Sequence, residues 1–212
     1  MQVWAPRDAE DPFWNRKGFK SLNCLFTAGA STRIFNVIAS YPGSCHDAKI
    51  FKESNFFQRL QEQNGRYQNL LVLGDSAFYS YLPFMAIPYR QAESRADPRK
   101  RRYNYDLTKC RVIIEQVIGI LKARFPILHN GLKFKSMELC GKVIICCAAL
   151  HNFILDHGHQ QSDRPEDMPR IDDVELSSDE SDFEDEEREN DDRLFRRQQR
   201  EKTSDKIVRR YY

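Results

Sequence analysis

The chain has 212 residues, which is room for one sizeable domain and a tail. A hydrophobic content of 41%, with 12% aromatic residues, supports a packed core and excludes a wholly disordered chain. The formal net charge of +2 hides an asymmetry. Lys and Arg outnumber Asp and Glu by 22 to 12 in residues 1–155 and by 8 to 2 in residues 193–212, but they are outnumbered by 17 to 3 in residues 156–192. A basic body joined to an acidic segment favours a surface that faces polyanions and a separate interaction segment.

The sequence carries no strong signal for a membrane span, for secretion or for disulfides. Its longest apolar run, over residues 143–154, has the length of a buried helix and is shorter than the ~18 apolar residues that suggest a membrane span. Residues 1–7 lack the apolar region of a signal peptide. The six cysteines are scattered without a Cys-x-x-Cys pair, so we interpret them as reduced thiols of a nuclear or cytosolic protein. We therefore expect no membrane association.

The first half of the chain predicts a hairpin, a helix and a short strand. Residues 19–28 and 33–40 are β-prone runs with a four-residue spacing typical of a hairpin. Residues 47–63 have helical periodicity. The candidate core contacts of this helix are Ile50, Phe51, Phe56, Phe57 and Leu60. Residues 69–75 form a continuous apolar run that ends in glycine and aspartate, which predicts a strand buried on both faces with Asp75 at its C-terminal end.

The second half predicts two long helices. Residues 82–104 contain three prolines among many charges and are interpreted as an irregular basic connection. Residues 107–125 predict a helix, apolar nearly all round and stopped by Pro126, on which Glu115 should point into a cleft rather than into water. Residues 136–156 predict a second, largely buried helix.

The C-terminal part divides into two segments of opposite charge. Residues 157–192 are too polar to offset the entropy of ordering, so we expect an acidic disordered tail. Residues 193–212 form a basic segment that could be a short helix. The apolar side chains with which this helix could dock are Leu194, Phe195, Ile207, Val208, Tyr211 and Tyr212. The acidic tail could compete with a nucleic acid for the basic body, or bind a basic partner.

Asp75 and Glu115 are the two carboxylates that stand out by position. A carboxylate at a strand end and another on a packed helix can converge on hard divalent cations such as Mg²⁺, and two such ions can activate water against a phosphodiester. Spacing alone leaves simpler interpretations open. Asp75 could cap the turn that follows it, and Glu115 could form an ion pair with Arg111 or Lys122.

Five ordered segments resemble a known family. Residues 15–23 (NRKGFKSLN) and 41–47 (YPGSCHD) resemble the N-R-K-G-x-x-S-x-N and P-G-S-x-H-D segments of the PIF/Harbinger DDE transposase superfamily. Residues 73–78 (LGDSAF), 114–125 (IEQVIGILKARF) and 147–152 (CAALHN) are similar to its L-G-D-S-x-[YF], I-E-x-x-x-G-x-L-K-x-R-F and C-x-x-L-H-N segments. Five segments in the same order are far more specific than any one of them. The superfamily includes active transposases and the domesticated Harbinger transposase-derived nucleases.

The resemblance implies a fold and a chemistry. The expected fold is an α/β (α+β) domain over residues 1–156, with an RNase H-like mixed sheet flanked by helices, lacking part of its first strand. The implied activity is metal-dependent phosphodiester hydrolysis by an acidic triad that binds two Mg²⁺ or Mn²⁺ ions. By this resemblance Asp75 is the second member of the triad and Glu115 the third, and both are metal ligands.

The first member of the triad has no match in this sequence. In the family it lies in a D-x-T-H-type segment a few residues before the part that matches residues 3–6. Asp8 and Asp11 match non-catalytic positions and are poor substitutes. Because the first aspartate is the ligand expected to bridge both metals, we expect the chain as written to be catalytically dead or severely impaired. The alternative is a domesticated, non-catalytic DNA- or protein-binding module that keeps the transposase fold.

Several other polar residues have competing interpretations. Asp47 and His46 could contact a metal indirectly or replace a ligand, but a helix cap for Asp47 and a turn contact for His46 are simpler. We expect His151 and Asn152 to be buried hydrogen-bonding residues. Zinc is excluded because Cys146, Cys147 and His151 lack a second pair of ligands.

The basic residues around the two acidic segments are candidates for DNA contacts. They are Arg99, Lys100, Arg101, Arg102, Lys122 and Arg124. Such residues give salt-dependent, largely sequence-independent binding to phosphates, although a solvated basic loop is an equal alternative. The resemblance further implies a nuclear location and a separate Myb/SANT-like DNA-binding partner, without a small-molecule cofactor.

Overall fold

The structure is a computed structural model that describes residues 13, 20–63, 71–78, 82, 84–134, 136–157 and 203–212. The chain divides into two compact units, which are described one at a time. The first contains residues 1–56 and 113–169, and the second contains residues 57–112 and 170–212. The acidic segment expected to be disordered lies beyond residue 157, outside the described residues, as do Leu194 and Phe195.

The hairpin predicted near the start of the chain is present in the first unit. Strand β1 (Leu22–Ala28) pairs antiparallel with strand β2 (Ile34–Pro42). The turn is closed by backbone hydrogen bonds from Gly29 to Arg33 and from Thr32 to Gly29. Thr32 has a φ of 61°, which is a costly conformation for a β-branched residue. The turn therefore needs support from other parts of the fold.

The single helix predicted over residues 47–63 is two helices. Helix α1 (Asp47–Lys52) has Glu53 as its C-cap residue, and helix α2 (Asn55–Gln63) begins two residues after this cap. Ser54 sits at the break, where its hydroxyl donates to the Phe51 carbonyl at 2.6 Å. A serine hydroxyl that donates to a carbonyl of the preceding turn competes with the regular backbone hydrogen bonds of the helix. The hydrophobic periodicity of the sequence does not reveal this break. Of the predicted core contacts, Ile50, Phe51 and Leu60 are buried, whereas Phe56 and Phe57 are half-buried.

Three helical segments complete the core of the first unit. Helix α4 (Pro98–Arg124) runs from the second unit into the first, and it is followed by helix α5 (Pro126–His129) and helix α6 (Met137–His157). Buried side chains from these helices and the hairpin form one apolar cluster. Its fully buried members are Leu22, Val117, Leu121, Leu132, Cys140 and Ile144. Burial raises the pKa of the Cys140 and Cys147 thiols, which keeps both protonated and unreactive.

Helix α6 is not largely buried as predicted, because only one side of it faces the core. The opposite side exposes Leu139, Ile145, Leu150 and Phe153. By length and composition alone, α6 is also long and apolar enough to cross a membrane, a property that core helices of other proteins share. The buried side packs on the hairpin, where Gly141 lies against Ala39 of β2. This contact is typical of a core helix.

The second unit contains a small parallel sheet and the first part of α4. Strand β3 (Val72–Leu73) pairs with strand β4 (Met85–Ala86). The strand predicted over residues 69–75 is therefore shorter than expected, and Leu73 is 39% exposed rather than buried on both faces. A mixture of helices and strands is confirmed, with two two-stranded sheets among the described residues.

The irregular basic connection predicted over residues 82–104 is largely helical. Helix α3 (Gln91–Ala96) is followed at once by α4, which begins at Pro98, nine residues before the predicted start. The Asp97 carboxylate accepts a hydrogen bond from the Arg99 backbone N–H at 2.9 Å. Aspartate before a proline at the first helical position is a strong start signal, because proline lacks the N–H that a helix start leaves unpaired.

The predicted C-terminal helix exists and docks within the second unit. Helix α7 (Thr203–Tyr211) buries Val208 against Tyr89, Tyr103 and Leu107. Of the predicted docking residues, Ile207 and Val208 pack on this cluster, whereas Tyr211 is 68% exposed. The two buried hydroxyl residues at the start of α7 donate to backbone carbonyls, Thr203 to Leu82 and Ser204 to Ile87.

Two tyrosines hold the remainder of α7. Tyr89 donates to the Asp205 carboxylate at 2.8 Å, and Tyr212 donates to Asp106 at 2.6 Å. Burial first, and then the hydrogen bond to Asp106, raise the pKa of Tyr212 to about 12. The same two causes, with Asp205 as the acceptor, raise the pKa of Tyr89 far above its usual value. Both hydroxyls therefore remain donors throughout the physiological pH range.

Gly141→Ala is expected to destabilise the first unit, although alanine is the better helix former. Helix propensity alone predicts a gain of ~1 kcal/mol. The added Cβ would lie 2.2 Å from the Ala39 carbonyl oxygen, so the backbone of β2 or α6 must shift, at a cost of ~1–3 kcal/mol. Urea denaturation measures the difference. Ala149→Gly is the control. Because Ala149 lies on the exposed side of α6, the change in its unfolding free energy measures the difference in helix propensity between alanine and glycine alone. An unfolding free energy of Gly141→Ala at or above that of the parent would contradict the contact.

Tyr89→Phe is expected to loosen α7. The substitution removes the donor to Asp205 and leaves a half-buried carboxylate without it, which costs ~1–3 kcal/mol. Amide hydrogen exchange over residues 203–211 should accelerate, while exchange in α6 should not change. Tyr211→Phe is the matched control, because the Tyr211 ring is exposed. Equal exchange rates in the two variants would show that this hydrogen bond does not hold the helix.

Candidate active site

Asp75 lies two residues after β3, as the sequence predicts. One carboxylate oxygen accepts the Ala77 backbone N–H at 3.0 Å, which forms the turn contact that was the simpler interpretation of this residue. The other oxygen faces the Arg111 guanidinium at 3.8 Å. Side chains of both residues are about one third exposed. Asp75 is thus fixed in place by its own turn and by a cation on α4.

Gly74 brings the turn close to the neighbouring strand. A Cβ at this position would lie 2.9 Å from the Met85 sulfur and 2.9 Å from the Phe78 ring. The Gly74 backbone N–H donates to Ala86 of β4. The sequence Gly-Asp therefore combines a residue that must be small with a residue that carries charge.

Glu115 lies in the first unit, on α4, and is exposed. Its neighbour Gln116 is buried while Glu115 is not, so only one side of the helix is buried here. The prediction that Glu115 points into a cleft is therefore wrong. Within the described ranges Glu115 forms no ion pair, so the predicted alternative of pairing with Arg111 or Lys122 is not observed. Its carboxylate faces solvent.

The described residues do not by themselves complete a metal site. Asp75 and Glu115 provide the hard oxygen donors that Mg²⁺ and Mn²⁺ prefer. However, no group of three or more His, Cys, Asp or Glu side chains capable of holding a metal ion occurs in the part of the chain that the structure describes. The donor chemistry fits a divalent cation, whereas the number of converging donors does not.

The first two motif segments meet at the start of α1. The Asn23 side-chain amide donates to the Cys45 carbonyl at 2.7 Å and to the Asp47 carboxylate at 2.6 Å. The residue at the cap position is His46, whose side chain makes no capping hydrogen bond, so the expected cap is displaced by one position. Asp47 still favours the helix by placing negative charge in its first turn. The Asp47 side chain thus has a structural contact, and contact of Asp47 or His46 with a metal remains a prediction.

The same two segments also meet through Ser21 and Gly43. The Gly43 backbone N–H donates to the Ser21 carbonyl at 2.8 Å, and the Ser21 N–H donates to the Phe13 carbonyl at 2.8 Å. A Cβ on Gly43 would lie 2.1 Å from the Ser21 hydroxyl. These two motif segments therefore join strands and loops of the first unit.

The closing motif segment anchors the hairpin turn. His151 is fully buried, with Nε2 3.0 Å from the Thr32 carbonyl and Nδ1 3.1 Å from the Arg124 guanidinium. Since a carbonyl only accepts and a guanidinium only donates, His151 is neutral and carries its proton on Nε2. Asn152 accepts from the Ile34 N–H at 3.0 Å and donates to the Ile34 carbonyl at 2.7 Å. The prediction of a buried hydrogen-bonding pair is confirmed for His151, whereas Asn152 makes its hydrogen bonds from a half-buried position, and both residues have the hairpin backbone as a partner.

All six candidate DNA contacts lie on helix α4 rather than in a loop. Arg99 pairs with Asp97, Lys100 with Glu93 and Arg102 with Asp106. The Arg99 side chain holds the pKa of Asp97 below its usual range. Arg101 is exposed, Lys122 is half-buried, and Arg124 contacts His151. The six candidates therefore differ in the exposure of their charged groups and in the contacts that these groups already make within the protein.

A family model described as DDE superfamily endonuclease matches residues 1–152. The chain belongs to this family. The match covers both Asp75 and Glu115, and the resemblance found in the five motif segments is thereby confirmed. Domains of the DDE superfamily endonuclease family generally depend on divalent metals, and membership supports a nuclease-derived function.

Several curated proteins are similar to part of the chain. The protein named "Putative nuclease HARBI1" from Mus musculus is 32% identical over 160 residues, which is 74% of this chain and 44% of that protein. The protein of the same name from Homo sapiens is 30% identical over 160 residues, which is again 74% of this chain and 44% of that protein. "Protein ALP1-like" from Arabidopsis thaliana is 27% identical over 142 residues, which is 62% of this chain and 34% of that protein. The chain spans less than half the length of these relatives. No solved structure matches the chain.

Two features of the site have no signal in the sequence. Arg111 is predicted only as a possible partner of Glu115, but it pairs with Asp75. Asn23 is predicted only as part of a motif, but it ties β1 to the start of α1. Spacing along the chain does not reveal either contact, because each joins segments more than 20 residues apart.

Asn152→Asp is expected to destabilise the first unit by ~1–3 kcal/mol, because a carboxylate oxygen would replace the amide donor facing the Ile34 carbonyl. The measurement is thermal unfolding followed by circular dichroism. Asn130→Asp, an exposed position at the end of α5, makes the same chemical change without removing a donor to the hairpin. If both variants melt at the same temperature, Asn152 does not stabilise the hairpin.

Proposed function

We propose that this chain is the core of a transposase-derived, metal-dependent DNA endonuclease that hydrolyses phosphodiester bonds. The observation that carries the proposal is the family match over residues 1–152, which includes Asp75, two residues after β3, and Glu115 on α4. We further propose that the helices and strands described above belong to an RNase H-like domain.

Asp75 and Glu115 are the proposed metal ligands. Two bound Mg²⁺ or Mn²⁺ ions would supply an activated water and stabilise the leaving oxygen of the phosphodiester. The contribution of the protein is to hold the carboxylates. Asp75 is held by the Ala77 N–H and by Arg111, and the backbone that carries Glu115 is anchored by the buried side chains of the adjacent Gln116 and Val117. Asp47, which accepts from Asn23 at the start of α1, and His46 beside it are proposed to contact a metal only indirectly.

DNA is the proposed substrate, and the nucleus the proposed location. The basic residues at the start of α4, and Lys122 and Arg124 near its end, are proposed to contact phosphates. Arg99 and Arg102 remain more than half exposed despite their carboxylate partners, so their guanidinium groups retain donors for phosphate.

A non-catalytic DNA- or protein-binding module is the second candidate. One specific observation favours it: the Asp75 carboxylate already has the Arg111 guanidinium beside it. Such a module would keep the fold and could work with a separate Myb/SANT-like DNA-binding protein. The two candidates differ in one measurable property, which is metal-dependent cleavage.

Nicking of supercoiled plasmid by the purified chain separates the candidates. We expect nicking with Mg²⁺ or Mn²⁺ at a low rate, and Asp75→Asn and Glu115→Gln should reduce it to the rate measured in EDTA. Both variants should also bind Mn²⁺ more weakly, as followed by its electron paramagnetic resonance signal. The physical reason is the loss of one anionic oxygen donor in each variant.

Glu138→Gln is the matched control. Glu138 is an exposed carboxylate on α6 that pairs with Lys142, so its replacement removes the same charge away from the proposed ligands. Nicking should be unaffected in this variant. A chain that binds DNA but cleaves it with neither metal, and whose Mn²⁺ affinity is insensitive to Asp75→Asn, belongs to the second candidate.

A further inference from the structure

Helix α7 separates its charges by sign. Its basic residues Lys206, Arg209 and Arg210 are exposed and follow i, i+3, i+4 spacing, so they share one face. Its acidic residue, Asp205, is turned to the Tyr89 hydroxyl. The outward face therefore carries the three basic side chains of α7. We call Lys206, Arg209 and Arg210 the α7 basic face.

The α7 basic face continues onto α4 through two hydrogen-bonded contacts. The Tyr212 hydroxyl donates to Asp106, and the same carboxylate oxygen accepts from the Arg102 guanidinium at 3.2 Å. Arg102 is 67% exposed. The end of α7 therefore lies beside the basic start of α4, within the same unit. The carboxylates of this region are all engaged, Asp97 with Arg99, Glu93 with Lys100 and Asp106 with Arg102.

The composition of this surface favours a nucleic acid over a protein as its ligand. Residues 93–106 and 203–212 together contain eight Lys/Arg and four Asp/Glu, a net charge of +4. Val208 is buried and Ile207 is half-buried, so no aliphatic side chain of α7 is exposed. Protein interfaces are depleted of charged residues at their centres, whereas phosphate contacts are made by Arg, Lys and Tyr side chains. Tyr211 adds an exposed hydroxyl beside Arg210.

We infer that the α7 basic face, continued by Arg102 on α4, binds the phosphate backbone of DNA without reading its sequence. The inference rests on the proposed function for the choice of DNA, but it assigns binding to a helix that lies beyond the residues matched by the family model. The docking of α7 by Tyr89, Ser204 and Val208 presents the face in a fixed orientation.

The test is a salt titration of DNA affinity in EDTA, where cleavage does not interfere. A labelled 20-base-pair duplex and the full chain are followed by fluorescence anisotropy. Lys206→Gln with Arg210→Gln should weaken binding and reduce the slope of log K against log salt by about 1.8, because each phosphate that a cation neutralises contributes ~0.9 to that slope. The reduction should be the same for duplexes of unrelated sequence.

Lys133→Gln with Lys142→Gln is the matched control, because it removes two exposed positive charges from the first unit. Its slope should equal that of the parent chain. A slope unchanged by the Lys206 and Arg210 substitutions, or lowered equally by the control pair, would overturn the inference.

Chemical protection provides a second measurement on the unaltered chain. Saturating duplex should slow the acetylation of Lys206 by a soluble reagent, measured by mass spectrometry, while Lys142 reacts at its original rate. Equal protection of the two lysines, or none at Lys206, would also overturn the inference. Because no step requires a metal, a chain that binds DNA through α7 without nicking it would disprove the proposed nuclease function and leave this assignment intact.

Discussion

The side chain of Asn152 completes the hydrogen bonding of β2 from a helix 118 residues further along the chain. Backbone N–H and C=O groups that leave water must find partners, and a hairpin of two strands cannot satisfy both of its edges alone. The next residue back, His151, holds the carbonyl of Thr32, which has an unfavourable positive φ. Helix α6 therefore fixes both the edge and the turn of the hairpin. The packing of α6 on β2 depends on this register.

The motif segments that identify the family are mostly scaffold. Asn23 connects β1 to the first turn of α1, Gly43 lies against Ser21, and His151 and Asn152 hold the hairpin. Short motifs around a catalytic site are easily assumed to be catalytic. In this chain several of them satisfy buried polar groups, for which few alternative side chains have the right shape and donors. Family resemblance therefore identifies the fold more directly than it identifies the reacting groups.

Local signals predict the elements well, and long-range contacts account for the errors. The hairpin, α6 and the C-terminal helix follow from β-propensity, periodicity and apolar content. The predicted start of α4 is wrong because three prolines and many charges in residues 82–104 suggest a loop, although Asp97 before Pro98 is a good helix start. The break at Ser54 and the exposed side of α6 depend on how each helix packs. The two candidate carboxylates follow from position and resemblance, whereas the pairing of Asp75 with Arg111 is a tertiary contact with no local signature.

Charge placement separates the two basic regions of the second unit. The start of α4 carries Arg99, Lys100 and Arg102 with a carboxylate beside each, so much of its positive charge is already balanced. Helix α7 turns its one acidic residue inward and leaves its basic residues outward. A run of cations in the sequence is therefore a poor guide to electrostatic potential, because the neighbouring carboxylates decide how much of it remains. By this argument the three basic residues of the nine-residue α7 lie on its outward face, apart from Asp205, whereas three cations of the earlier basic run each have a carboxylate beside them.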